Sequence, residues 1–172
     1  CGTAYAVLPA LLKDRAGDYP IAFAGIMTAV TLGFGVGIQT VGKKIDTHRS
    51  ARASVIAMAI VATGAVFAAG AASTTSLTIG LIAAATLGCG YGLALVAGLS
   101  EVQRLAGPDD LAGLTAVFYS IAYLGFFVPM LLAALSTIFS YTTMLIGGAV
   151  IAILTLIEVA LAWQAHLPGA HE

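Results

Sequence analysis

Five stretches of this chain, residues 19–42, 53–72, 77–100, 113–137 and 141–164, each run 20 residues or more with Glu158 as their one charged side chain. A bilayer core about 30 Å thick takes about 20 apolar residues of helix to cross, so each stretch is long enough to span it. Buried helices of soluble proteins rarely run that far without a charge. Strands of a membrane barrel would alternate apolar with polar, which none of the five does. The expected fold is therefore all-α, a polytopic transmembrane helix bundle forming one domain over residues 1–172. Residues 1–12 are also apolar, but at 1.5 Å per residue they cover only about 18 Å. They read as the second half of a truncated helix. The chain opens on Cys1 inside that apolar run, without the basic flank of a signal peptide, so its N-terminus reads as a cut end.

Composition narrows the function classes. Hydrophobic residues make up 60% of the chain and charged ones 9%, where a soluble domain carries about a quarter charged residues; the mean hydropathy is +1.02. The seven basic and eight acidic residues cluster between the apolar runs, which argues for a lipid bilayer as the first partner and against nucleic acid. Cys1 and Cys89 both lie in apolar segments and supply neither a disulfide framework nor a metal-ligand set, and no motif calls for a cofactor. A membrane enzyme would need paired acids, a nucleophile with its base, or histidines at metal-binding spacing inside the spans. His48, His166 and His171 all fall outside them.

Basic residues in the connectors set orientation. Lys43, Lys44, Arg49, Arg52 and Arg104 fall on one side, while Lys13 and Arg15 share the other with the short loops 73–76 and 138–140. Five against two places the first group in the cytoplasm, beneath a plasma (inner) membrane. The tail 165–172 follows on that side, behind Trp163 as an interfacial anchor.

The loop Gly42-Lys43-Lys44-Ile45-Asp46-Thr47-His48-Arg49-Ser50-Ala51-Arg52 resembles the loop signature of the major facilitator superfamily, a Gly, three residues, an Asp, then a basic cluster. Gly42 and Asp46 match in register. Thr47 stands where a basic residue is usual and Arg49 where a second Gly is usual, a degeneracy common in the C-terminal copy of the motif. Glu101, in Ser100-Glu101-Val102-Gln103-Arg104, matches the acidic helix end that pairs with the basic part of the motif. The resemblance covers nearly the whole chain. Residues 1–12, with Tyr5 and Pro9, resemble the end of the seventh helix of such a transporter, and the five spans its eighth to twelfth. The chain then resembles the C-terminal six-helix half, and its implied partner is the missing N-terminal half. Asp46, Arg49, Arg52, Glu101 and Arg104 would form a cytoplasmic latch on one conformation. Read without the resemblance, the loop is a positive-inside connector with a surface ion pair, and Glu101 with Arg104 at i, i+3 a plain helix-surface pair.

In that family the substrate path runs between the halves near the midplane. The first, second, fourth and fifth helices would line it, leaving the third and sixth as scaffold. Candidate lining residues are Thr28, Thr31 and Gln39 on the second helix, Tyr91 on the fourth, and Tyr119, Ser120 and Tyr123 on the fifth. Tyr119 and Tyr123, at i, i+4, share a helix face, and hydroxylated rings suit an amphipathic organic substrate. Interfacial anchoring is the other reading of these tyrosines. Two glycine runs, with Gly33 and Gly37 in one and Gly88 and Gly92 in the other, have the spacing that permits close helix crossing, and Gly125 with Pro129 marks a hinge in the fifth helix. Glu158 is the one ionisable residue well inside a span, a candidate for proton coupling. Snorkelling to the nearby interface explains it as well. The function implied is secondary active transport of a small organic solute by alternating access, of efflux type. The alternative is a six-helix structural or assembly subunit with no path of its own.

Overall fold

The computed structural model describes residues 2–45, 52–107 and 110–165, and every regular element among them is helical. A π-helical turn, Thr3–Val7, runs into α1 (Leu8–Leu12) and a 3₁₀ turn, Lys13–Arg15. Then follow α2 (Pro20–Ile45), α3 (Arg52–Thr74), α4 (Leu77–Leu105), α5 (Leu111–Leu124), a second 3₁₀ turn (Gly125–Phe127), α6 (Val128–Leu135) and α7 (Tyr141–Ala165). With α5, its turn and α6 taken as one rod, five helices are long and apolar enough to cross a membrane. Asp46 and Arg49 of the loop signature, and the tail beyond residue 165, lie outside the described residues.

The helices outlast the apolar runs. α2 continues through Gly42 to Ile45, and α4 continues past Ser100 to Leu105. A helix satisfies its own backbone, so a charged side chain that reaches water does not end it. Tight turns do. Between α3 and α4 only two residues intervene: Thr75 takes a left-handed conformation (φ 51°), and the Ser76 hydroxyl accepts the Ile79 N–H at 3.4 Å. Ser140 caps α7 in the same way, accepting the Thr143 N–H at 3.2 Å.

α4 is the hub, packed against α2 on one side and α3 on the other, with α7 against the far side of α3. Lipid tails are as apolar as leucine, so helices gain nothing from mere apolar contact in a bilayer and associate by close approach of small side chains. α4 supplies Gly80, Ala84, Gly88 and Gly92 at four-residue spacing, all buried. α2 answers with buried Met27, Thr31, Gly35 and Gly42. Gly88 lies against the Thr31 carbonyl and Gly92 against the Gly35 carbonyl, so that a Cβ at either position would collide with backbone. This repeat is the arrangement in which Cα–H···O contacts form between helices. Against α3 the notches are filled by side chains: Leu87 seats at Gly64 and Val61 at Gly90.

The structure corrects one reading of the glycine runs. Gly88 and Gly92 pack, but on α2 the packing residue is Gly35. A Cβ at Gly33 or Gly37 would meet nothing within 4 Å. Both instead line an open apolar groove of about 740 Å³ on the outer side of α2, with Phe34, Ile38 and Cys89. Gly42 does pack, with Leu93 filling its notch.

The α5–α6 rod is the least enclosed part of the bundle, with no buried residue along its length. Two glycine notches hold it: the Phe118 ring against Gly98 of α4, and Pro129 against Gly2. Ile121, Leu124 and Phe127 are each 60% or more exposed. In water such a surface would aggregate; in a bilayer, acyl chains cover it.

Candidate functional site

Two helices of the bundle are broken, and in each the break lies just upstream of a proline. Proline has no N–H to give to the carbonyl four residues back, and its ring crowds that carbonyl. For Pro9 the residue concerned is Tyr5, and the chain widens there into the π-helical turn, in which the Leu8 N–H bonds the Thr3 carbonyl. For Pro129 it is Gly125. There the chain tightens, and the Val128 N–H bonds the Gly125 carbonyl in 3₁₀ fashion. The two breaks meet: Gly2 sits beside Pro129, a Cβ at Gly2 coming within 2.9 Å of its ring and 3.8 Å of the Gly125 carbonyl oxygen. Where they meet is a cavity of about 210 Å³ lined by Gly2, Tyr91, Ala122, Gly125 and Phe126.

This cavity lies midway along the helices that wall it. Tyr91 is fourteen residues from either end of α4, and Tyr123 is twelve from either end of the α5–α6 rod. At 1.5 Å per residue those separations are about 21 Å and 18 Å, so in a bilayer crossed by these helices the cavity would lie well away from any interfacial belt. The rings form a chain along the rod. Phe118 meets Tyr119 edge-on at 5.5 Å, Tyr119 stacks on Tyr123 at 6.2 Å, and Tyr123 tilts against Phe126 at 5.9 Å. Phe126 joins this chain to the cavity wall. The Tyr91 phenol is within electrostatic range of those of Tyr5, Tyr119 and Tyr123. The structure thus brings together Tyr91, Tyr119 and Tyr123, expected at the path, and adds Tyr5. The sequence carried a signal for Tyr5 in Pro9, four residues on.

Hydrogen bonding separates the tyrosines from the other polar candidates. Without water, a hydroxyl in a span turns back onto its own helix. Thr28 bonds the Ala24 carbonyl at 2.9 Å, Thr31 the Met27 carbonyl at 2.7 Å, and Ser120 the Ala116 carbonyl at 2.8 Å. Their donors are spent. Thr31 departs from the sequence reading: it is 0% exposed, sealed in the α2–α4 seam, and does not line the tyrosine cavity. Thr28 and Gln39 are half-buried on α2 and do not line the tyrosine cavity. The hydroxyls of Tyr5, Tyr91, Tyr119 and Tyr123, in contrast, make no hydrogen bond among the described residues.

Of the charged candidates, Glu101 and Arg104 form an ion pair at 3.0 Å, with Glu101 about half exposed. Arg52 opens α3 and is exposed. Glu158 is exposed on α7, a helix that packs chiefly on α3, and no cation pairs with it among the described residues. Seven residues separate it from Ala165, about 10 Å along the helix. Among the described residues no group of three His, Cys, Asp or Glu side chains converges as a metal site would require. No protein-family model, curated protein or solved structure matches the chain.

Proposed function

We propose that this chain is the C-terminal half of a secondary transporter of major facilitator type, moving a small organic solute across a plasma (inner) membrane by alternating access. One observation carries the reading. Two proline-broken helices meet midway along the bundle at a cavity walled by Tyr91 and Phe126, and the Tyr91 hydroxyl makes no hydrogen bond among the described residues. Irregular backbone at membrane depth is tolerated where it is buried in protein or lines a cavity, and discontinuous helices mark the midplane sites of transporters. The loosely held α5–α6 rod supports the same reading, because a gating helix must shift without dismantling a core.

In this reading an N-terminal half closes the cavity from the other side, and the loop at Asp46 and the Glu101–Arg104 pair face the cytoplasm. Export is the preferred direction, since the spans offer an importer of polar nutrients little buried charge to work with. Energy comes from an ion gradient, with Glu158 as the coupling candidate among the described residues. Cells producing the intact gene product are expected to accumulate less of an amphipathic dye such as ethidium than control cells. A protonophore should erase the difference. Equal accumulation, with the protein correctly inserted, would overturn the export reading. For the latch, Glu101→Lys is expected to shift the balance between inward and outward states; an unaltered balance would leave Glu101 and Arg104 as a surface pair.

A further inference from the structure

We infer that the tyrosine cavity takes a planar aromatic molecule carrying no negative charge, held between Tyr91 and the Phe126–Tyr123 ring pair and hydrogen-bonded by a phenol. This rests on the transport reading and names its substrate class. Three features of the site select that chemistry.

The first is shape. Tyr91 and Phe126 both wall the cavity, and Phe126 continues into Tyr123 at 5.9 Å and Tyr119 beyond it at 6.2 Å. Rings spaced this way offer faces and edges on which another flat ring stacks. Gly2, Ala122 and Gly125 complete the wall and add almost no bulk. A branched or globular solute would leave most of the ring surface uncovered.

The second is charge. No Lys, Arg, Asp or Glu lies in residues 2–12, in α2 from Pro20 to Gly42, in α4 from Leu77 to Ser100, or in the α5–α6 rod. These elements therefore bring the site no formal charge to offset a ligand's own, and an anion would leave water for a low-dielectric cavity with nothing opposite it on this half. A delocalised cation is tolerated better, because ring faces attract positive charge. The third is hydrogen bonding. Tyr91 brings the one phenol on the cavity wall, and it makes no hydrogen bond among the described residues, so a heteroatom on the ligand finds a donor without displacing a protein contact.

The test is equilibrium binding to the purified intact gene product in nanodiscs, with empty nanodiscs subtracted. Three fluorescent probes of one shape are compared: hydroxymethylanthracene, its trimethylammonium analogue, and anthracene carboxylate. The neutral and cationic probes are expected to bind at least about tenfold more tightly than the carboxylate. Tyr91→Leu should weaken the neutral probe about tenfold, while Tyr91→Phe keeps the ring and should lose no more than about fivefold, the worth of one hydrogen bond. Equal binding of the carboxylate overturns the proposal on the native protein alone, whatever the variants do. So does native-like binding by a folded Tyr91→Leu variant. Dye export without binding of any probe sinks this site and leaves the carrier standing; selective binding without export or exchange of any solute sinks the carrier and leaves the site.

Discussion

Each glycine of the α2–α4 seam is fixed by what faces it. Gly92 meets the Gly35 carbonyl and Gly88 the Thr31 carbonyl, and backbone cannot rotate away as a side chain can. Gly92→Ala is therefore expected to destabilise the protein by about 1–3 kcal/mol or more, the usual range for forcing extra bulk into a packed interior. Gly33→Ala, with open space around it, should stay within about 0.5 kcal/mol of the parent. Thermal unfolding of both variants in detergent checks the pair, and similar losses in the two would refute this assignment of the seam. Thr31→Val makes a second residue-scale test. Its hydroxyl only returns to the Met27 carbonyl, so transport should persist with little change in stability; lost transport would restore Thr31 to the substrate path. The sequence showed glycines at 33, 35 and 37 but not which of them meets α4. That choice depends on the rotation of α2 about its axis, and the rotation is set by what Met27, Thr31 and Gly42 pack against, a property of two helices together.

The two breaks behave as elements, since each changes the path of a whole helix. In Pro129→Ala the restored N–H can bond the Gly125 carbonyl, so the turn Gly125–Phe127 is expected to become α-helical and the α5–α6 rod to straighten. Straightening draws residue 129 away from Gly2 and opens the cavity wall. The variant should insert normally and melt at the same temperature or higher, yet transport at a rate reduced on the order of tenfold or more, because positioning rather than folding is lost. Full transport activity would show the break to be incidental. Much at this scale was legible from the sequence. Runs of apolar residues located the five long helices, because a backbone in lipid has no better option than to bond within itself. Their ends were less legible: hydropathy stops at Gly42, where lysines begin, while hydrogen bonding continues to Ile45. The hinge at Gly125 and Pro129 was flagged by its residues, whereas Pro9 carried the same signal and the segment before it was read as plain helix. With so few residues on that side of Pro9, no periodicity was there to be seen interrupted.

At the scale of the molecule, the bundle is organised by five helices long and apolar enough to cross a membrane and by surfaces it leaves uncovered. The groove on α2 and the length of the α5–α6 rod expose apolar side chains that only acyl chains or further membrane helices can cover. In the proposed reading every long helix crosses, and the crossings fix which connectors share a side. Three helices separate Asp18 from Gly107, and four separate Asp18 from Ile138. Single cysteines at these positions, in a background with the native cysteines replaced, are therefore expected to divide. A membrane-impermeant maleimide should label Asp18→Cys and Ile138→Cys from one face, and Gly107→Cys only once the other face is opened. By the positive-inside bias, Gly107, beside Arg104, is expected on the cytoplasmic face. If Gly107→Cys reacted together with Asp18→Cys, one of α2, α3 and α4 would not cross. The tyrosine site would then lose the mid-depth position that the transport reading requires.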